Sequence, residues 1–89
     1  MVLKIDRSTD GKCVRLQLSG RIQSEHVEQL RAEMAGIAEV VLDLEDVKLV
    51  DREAVRFLGD CEENGVKLRH CSRYIRDWIA RERSAKDIQ

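Results

Sequence analysis

Apolar and polar residues alternate along two stretches near the start of the chain, as they do in half-buried strands. Alternation over residues 2–6 predicts a short first strand, and Val14, Leu16 and Leu18 share one side of a second. Asp10-Gly11, which lies between these stretches, is typical of a tight reversal. The pattern therefore predicts an antiparallel hairpin with one buried and one solvated face.

Helical spacing follows the hairpin. Residues 20–23 are predicted to form a connection, and Ser24 is a suitable N-cap for a first helix. Val27, Leu30 and Met34 recur at helical intervals. The helix is predicted to stop just before Gly36.

An apolar run over residues 40–44 predicts the central strand. Asp51 is predicted to cap the next helix, and Asn64-Gly65 to end it. The buried stripe of this helix consists of Ala54, Val55, Leu58 and Cys61. Cys61 is therefore expected to be a core residue.

Alternation over residues 66–70 predicts an edge strand. Ser72 is expected to cap a last helix that turns Ile75, Trp78 and Ile79 inward. The order β-β-α-β-α-β-α predicts an α/β fold with a four-stranded mixed sheet and helices packed mainly on one face. The whole of residues 1–89 is expected to be a single domain, with residues 84–89 as a frayed, charged tail.

Charge is distributed unevenly along the chain. Residues 1–65 carry 9 basic and 14 acidic side chains, whereas residues 66–89 carry 7 basic and 3 acidic ones. Asp77, Glu82 and Asp87 interrupt the basic residues, so a solvated helix face is favoured over a nucleic-acid surface. No apolar run is long enough to insert into a membrane, and no signal-peptide pattern occurs at the start. A cytoplasmic location is expected.

The sequence gives little support for catalysis or metal binding. Three cysteines without a CxxC pair predict no disulfide framework. Cys61, His70 and Cys71 would form a redox or metal site only if the fold brought them together, and His26 is expected to be an exposed helix residue. Asp43, within an apolar strand, should need a local hydrogen-bond donor. We expect no catalytic residue, cofactor or metal.

The stretch from Val41 to Asp51 resembles the signature of STAS domains, the family of bacterial anti-sigma factor antagonists. The signature comprises an apolar strand, Asp-Leu, spaced aliphatic residues and Asp-Ser-Ser-Gly at the start of a helix. This chain has Asp43-Leu44, then Val47 and Val50, and finally Asp51-Arg52-Glu53-Ala54. The resemblance extends over about residues 3–79 and implies the same order of elements.

The resemblance implies a protein-interaction module in signalling or transcription control, switched in the family by phosphorylation of the first serine. Here Arg52 occupies that position and has no oxygen to accept phosphate, so no phosphorylation is expected there. The expected partner-binding surface is a corner of the fold formed by the following residues: Arg21, Gln23, Ser24, Asp51, Arg52, Glu53 and Arg56.

The partner implied by the resemblance is an anti-sigma-type kinase or a related regulator. An alternative is that the chain is an accessory STAS subunit of a membrane transport complex, where the partner would be the ATPase subunit. A homodimer is left open, and neither nucleic acid nor direct membrane insertion is expected. A redox or metal protein is the least favoured hypothesis.

Overall fold

The computed structural model describes residues 3–87, with side chains described through residue 84. Val2, which the sequence places in the first strand, and the end of the predicted tail lie outside these residues. Seven elements follow in the predicted order: β1 Lys4–Asp10, β2 Cys13–Ile22, α1 Ser24–Met34, β3 Glu39–Val50, α2 Arg52–Glu63, β4 Lys67–Arg69 and α3 Arg73–Asp87. The predicted mixed, four-stranded α/β fold is confirmed.

The first two strands form the predicted antiparallel hairpin, with Lys4 opposite Ser19 and Asp10 opposite Cys13. Gly11, at φ 62°, makes the reversal in a conformation that glycine adopts without steric cost. Both strands are longer than predicted. The predicted connection over residues 20–23 is wrong, because β2 continues through Ile22, paired with β3.

The sheet has the order β1-β2-β3-β4, and β2, β3 and β4 are parallel. β3 is longer than its apolar run because two register shifts against β2 let it continue past Leu44. The shifts place Val47 and Val50 in the core although these residues are three apart. The strand therefore reaches the start of α2.

The core lies on the face of the sheet that the helices cover. Val14, Leu16 and Leu18 of β2 alternate with more exposed residues, and they join one buried cluster with residues of all three helices. Leu30 comes from α1, and Cys61 lies in the cluster as predicted. Helix packing on one face is thus confirmed.

The helix starts agree in part with the sequence. The Ser72 hydroxyl accepts a hydrogen bond from the Ile75 N–H at 3.3 Å, as expected for a cap of α3. Ser24 is not the N-cap of α1, because its backbone is already helical and the extended residue before the helix is Gln23.

Within residues 3–87, none of the helices has the length and apolar character to cross a membrane.

Candidate functional site

The candidate site is the corner where the parallel strands β2 and β3 end and the helices α1 and α2 begin. We use "the corner" for residues 20–24 and 51–56. Ile22 pairs with Val50 at the last position of both strands. The Asp51 N–H then donates to the Ile22 carbonyl at 3.2 Å, which continues the pairing beyond the strands. The start of α2 is therefore held against the end of β2.

Asp51 joins the two helix starts through its side chain. Its Oδ1 accepts from the Ala54 N–H at 2.9 Å, which is the predicted cap of α2. Its Oδ2 accepts from the Ser24 N–H at 2.8 Å, in the first turn of α1. Each helix start has unpaired N–H groups and a positive dipole end, and one carboxylate serves both. Asp51 thus has a structural role that fixes the geometry of the corner.

The start of α1 is closed by Gln23 and His26. The Gln23 N–H donates to His26 Nδ1 at 3.1 Å, and the His26 N–H donates to the Gln23 carbonyl at 2.8 Å. Because Nδ1 accepts a hydrogen bond, that nitrogen is unprotonated here. His26 is half-buried rather than exposed as expected, since the ring folds back onto the helix start.

Arg52 and Arg56 lie one turn apart on α2 and contact the same carboxylate of α3. Arg52 Nε lies 3.4 Å from Glu82 Oε1, and Arg56 Nε donates to the same oxygen at 3.0 Å. Arg56 Nη1 also lies 3.6 Å from Glu53 Oε1. Hydrogen bonds from Arg56 and Arg52 hold the pKa of the Glu82 carboxyl below its ordinary value, against a smaller opposing effect of burial.

The charged side chains of the corner are largely exposed. Arg52 is 64% exposed, Glu53 61% and Arg56 51%, so a partner could reach them. Arg21 is half-buried, and its Nε is buried with no hydrogen-bond partner among residues 3–84. In the strand register Arg21 is paired with Leu49, a large apolar residue that is 47% exposed.

The fold brings most of the predicted site residues together. Ser24 joins Asp51 through its N–H, and Arg52 follows Asp51 and shares Glu82 with Arg56. No hydrogen bond or ion pair links Arg21 or the Gln23 side chain to these arginines in the described part of the chain. The predicted surface therefore has two flanking residues, Arg21 and Gln23, and a group joined by hydrogen bonds and ion pairs. The group consists of Ser24, Asp51, Arg52, Glu53 and Arg56.

Glu82 is the residue of this region that the sequence analysis missed. It lies 30 residues from Arg52, in a stretch that was assigned mainly to solvent. A signal was present, because Glu82 continues the helical spacing of Ile75 and Ile79, which are buried. A polar residue on the buried stripe of α3 should have suggested an ion pair with α2.

A single family model covers most of the chain. The family model described as Mlab, STAS domain matches residues 5–74. The chain belongs to the STAS domain family. STAS domains are in general binding modules rather than enzymes. No curated protein matches this STAS domain in a sequence search.

Solved structures show the same fold. The anti-sigma factor antagonist SpoIIAA in its unphosphorylated form matches with a TM-score of 0.70 and 16% identity, covering 97% of this STAS domain and 96% of that chain. An antisigma-factor antagonist STAS domain from Rhodobacter sphaeroides matches with a TM-score of 0.55 and 19% identity, covering 80% and 92%. Mglu matches with a TM-score of 0.57 and 25% identity over 72% of this STAS domain, which spans 18% of the Mglu chain.

A second polar cluster lies on the face of the sheet opposite the helices. Asp43, only 1% exposed, accepts hydrogen bonds from the Arg15 guanidinium and, at 3.0 Å, from the Glu45 N–H, which confirms the expected local donor. His70 Nδ1 lies 3.0 Å from Asp43 Oδ1. Burial raises the pKa of the Asp43 carboxyl, but these contacts outweigh it and lower the pKa to about 2.

Asp43, Glu45 and His70 each place one ligand atom within 4.8 Å of the others. Both Asp43 oxygens already accept hydrogen bonds, and the positive charge of Arg15 opposes a cation at this point. The arrangement fits a hydrogen-bonded ion cluster that fixes β2, β3 and the end of β4. These contacts therefore favour a structural ion cluster over a metal site at this point.

The cysteines of this STAS domain do not join His70 in that group. Burial raises the pKa of the Cys61 thiol to about 12 and also raises the pKa of Cys71. A thiol must lose its proton to act as a nucleophile or a metal ligand. The raised pKa of both thiols therefore disfavours redox or metal chemistry at these cysteines.

Proposed function

We propose that this STAS domain is a non-enzymatic regulatory module that binds a protein partner through the corner. The observation that carries the proposal is the exposed charge of Arg52, Glu53 and Arg56 on a helix start that Asp51 ties to a second helix. Exposed charged residues on a rigid scaffold are suited to recognition, because the backbone that carries them loses little entropy on binding. The expected contact surface also includes Arg21, Gln23 and Ser24.

The proposed binding does not depend on a phosphoserine at position 52. Arginine carries no oxygen for phosphate and has the opposite charge to a phosphoserine. Arg52 is also paired with Glu82, which gives the position a defined side-chain contact. A permanently charged corner of this kind would bind its partner without the phosphorylation switch of the anti-sigma factor antagonists.

The partner that fits the regulatory proposal is an anti-sigma-type kinase or a related regulator in a bacterial cytoplasm. An ATPase subunit of a transport complex is the other partner type that the family resemblance implied. Purification of the tagged STAS domain with mass spectrometry of the bound proteins would identify the partner, and binding is then measured with the purified pair.

Two substitutions in the corner test the proposed surface. Arg52→Glu reverses a charge, and Ser24→Arg adds bulk at an exposed position whose N–H bond to Asp51 is retained. Each is expected to weaken binding of the purified partner by about ten-fold or more, as is typical for disruption of an interface centre. Calorimetry or surface plasmon resonance measures the change.

Arg69→Glu is the matched control, because Arg69 is an exposed arginine on β4 rather than in the corner. It should leave the affinity unchanged while altering net charge by the same amount as Arg52→Glu. Circular dichroism and urea unfolding establish that all three variants are folded. Wild-type affinity in both corner variants would refute the proposed surface.

A further inference from the structure

Arg52 has hydrogen-bonding capacity that the fold leaves unused. Its contact with Glu82 is made by Nε at 3.4 Å, a long distance for a charged pair. Among residues 3–84, its hydrogen bond to Glu82 is donated by Nε, and the terminal amino groups donate none. The side chain is also 64% exposed. The planar end of the guanidinium is therefore available to a ligand.

The residues around Arg52 favour a carboxylate as its ligand. Glu82 shows that Arg52 and Arg56 can bind a carboxylate together, since one of its oxygens contacts both arginines. Glu53 Oε1 forms an ion pair with Arg56 Nη1 at 3.6 Å, and among residues 3–84 no ion pair or hydrogen bond joins its carboxylate to the Arg52 side chain. Arg83 on α3 is already engaged by Glu62 and Glu63, so it adds no competing free charge.

Glu82 also limits the positions that Arg52 can take. It is only 16% exposed and comes from α3, which packs against α2. A contact to Nε leaves the two terminal nitrogens free to form a bidentate pair with a second carboxylate. Because Glu82 already restricts the Arg52 side chain, less conformational entropy is lost when such a pair forms.

We propose that Arg52, positioned by Glu82 and assisted by Arg56, is a receptor for an aspartate or glutamate side chain on an acidic segment of the protein partner. The proposal rests on the corner being the partner-binding surface and specifies the chemistry that this surface recognises. Arg52 supplies the bidentate contact, and Arg56 adds positive charge one turn further along α2.

Arginine side-chain NMR tests the receptor directly. A short glutamate-rich peptide is titrated into the ¹⁵N-labelled STAS domain of residues 1–89, with its glutamine analogue in parallel. The glutamate peptide is expected to shift the Arg52 Nε–Hε signal and the amide signals of residues 52–56, and the glutamine peptide to leave them unchanged. Higher salt should weaken the effect, because the contact is exposed.

Two substitutions separate charge from geometry. Arg52→Ala should weaken peptide binding by about three- to five-fold, the upper part of the range for one exposed ion pair. Arg52→Lys keeps the charge without the planar fork, so its affinity should lie between those of the wild type and Arg52→Ala. Arg69→Ala, a folded control with one positive charge removed elsewhere, should bind as the wild type does.

The outcomes separate this proposal from the one on which it rests. Equal binding of the two peptides, or an affinity unchanged by Arg52→Ala, would overturn the carboxylate receptor. If the purified partner loses affinity for Ser24→Arg but not for Arg52→Ala, the corner binds the partner by other contacts. If neither variant loses affinity for the partner, the proposed function itself is wrong.

Discussion

Asp43 illustrates how the fold constrains a single buried charge. Its carboxylate is almost fully buried at the sheet surface opposite the helices and receives the Arg15 guanidinium and the Glu45 N–H. A buried charge is tolerated only when it is paired and hydrogen-bonded. The same pairing keeps the carboxyl ionised, because it lowers the pKa to about 2 despite the burial.

Asp43→Asn should destabilise the fold by about 1–3 kcal/mol, because the new amide NH₂ cannot accept the hydrogen bonds that one carboxylate oxygen accepted. Urea unfolding at neutral pH measures the loss. Asp6→Asn is a suitable control, since Asp6 is exposed on the same sheet surface. A loss no larger than that of the control would show that the cluster contributes nothing to stability.

The same residue gives stability a defined dependence on pH. The pKa of Asp43 is about 2 in the fold and 3.8 ordinarily, so between these values the unfolded chain binds more protons. Its contribution is therefore complete above about pH 4 and is lost as the pH falls toward 2. Asp43→Asn should remove this component, so the difference in unfolding free energy between wild type and variant narrows on acidification.

At the level of elements, Asp51 couples two helices that are far apart in sequence. A normal N-cap satisfies the start of its own helix, but here the second carboxylate oxygen also accepts from Ser24 of α1. Asp51→Ala should cost about 2 kcal/mol, the upper end for loss of a cap, because two helix starts lose an acceptor. Asp51→Asn retains one acceptor oxygen, so its free energy of unfolding should lie between those of the wild type and Asp51→Ala.

Urea unfolding measures these costs, and hydrogen exchange at the Ser24 and Ala54 amides shows which helix start is released. Ser72→Ala provides the comparison with an ordinary cap, because the Ser72 hydroxyl serves the start of α3 alone. A cost for Asp51→Ala that does not exceed the cost for Ser72→Ala would contradict the role of Asp51 in joining α1 to α2.

The elements were predictable from sequence to different degrees. Alternation identified β2, and helical spacing identified the buried stripe of α2, since these patterns report directly on burial. The extent of β3 was not predictable, because the register shifts that bring Val47 and Val50 into the core depend on pairing with β2. The cap of α1 was assigned one residue late, since Ser24 has the preferred side chain but Gln23 has the extended backbone.

The candidate site was predictable only through contacts that are local in sequence. Asp51 capping Ala54 spans three residues and follows from the pattern of helix starts. Its bond to Ser24 spans 27 residues, and the pair Arg52–Glu82 spans 30. Contacts of this length depend on how helices pack, which spacing along one helix does not specify.

At the scale of the whole molecule, α3 is the element that links the core to the corner. Its first half places Ile75 and Ile79 in the core, and its later turns bring Glu82 to the arginines of α2. Arg76 and Arg83 contact Glu62 on the same helix pair. The ion pairs of Arg52 and Arg56 in the corner therefore depend on α3, the helix that follows β4.

This dependence predicts a perturbed titration of Glu82. The two arginines should make its carboxyl titrate below the ordinary glutamate value of 4.5 in carbon-detected NMR. Arg56→Ala should raise the pKa more than Arg52→Ala does, because Arg56 contacts Glu82 at 3.0 Å and Arg52 at 3.4 Å. Arg81→Ala, which removes an exposed arginine next to Glu82 in sequence, should have a smaller effect than either. Titration of Glu82 at 4.5 in the wild type would mean that α3 does not hold the arginine pair in solution.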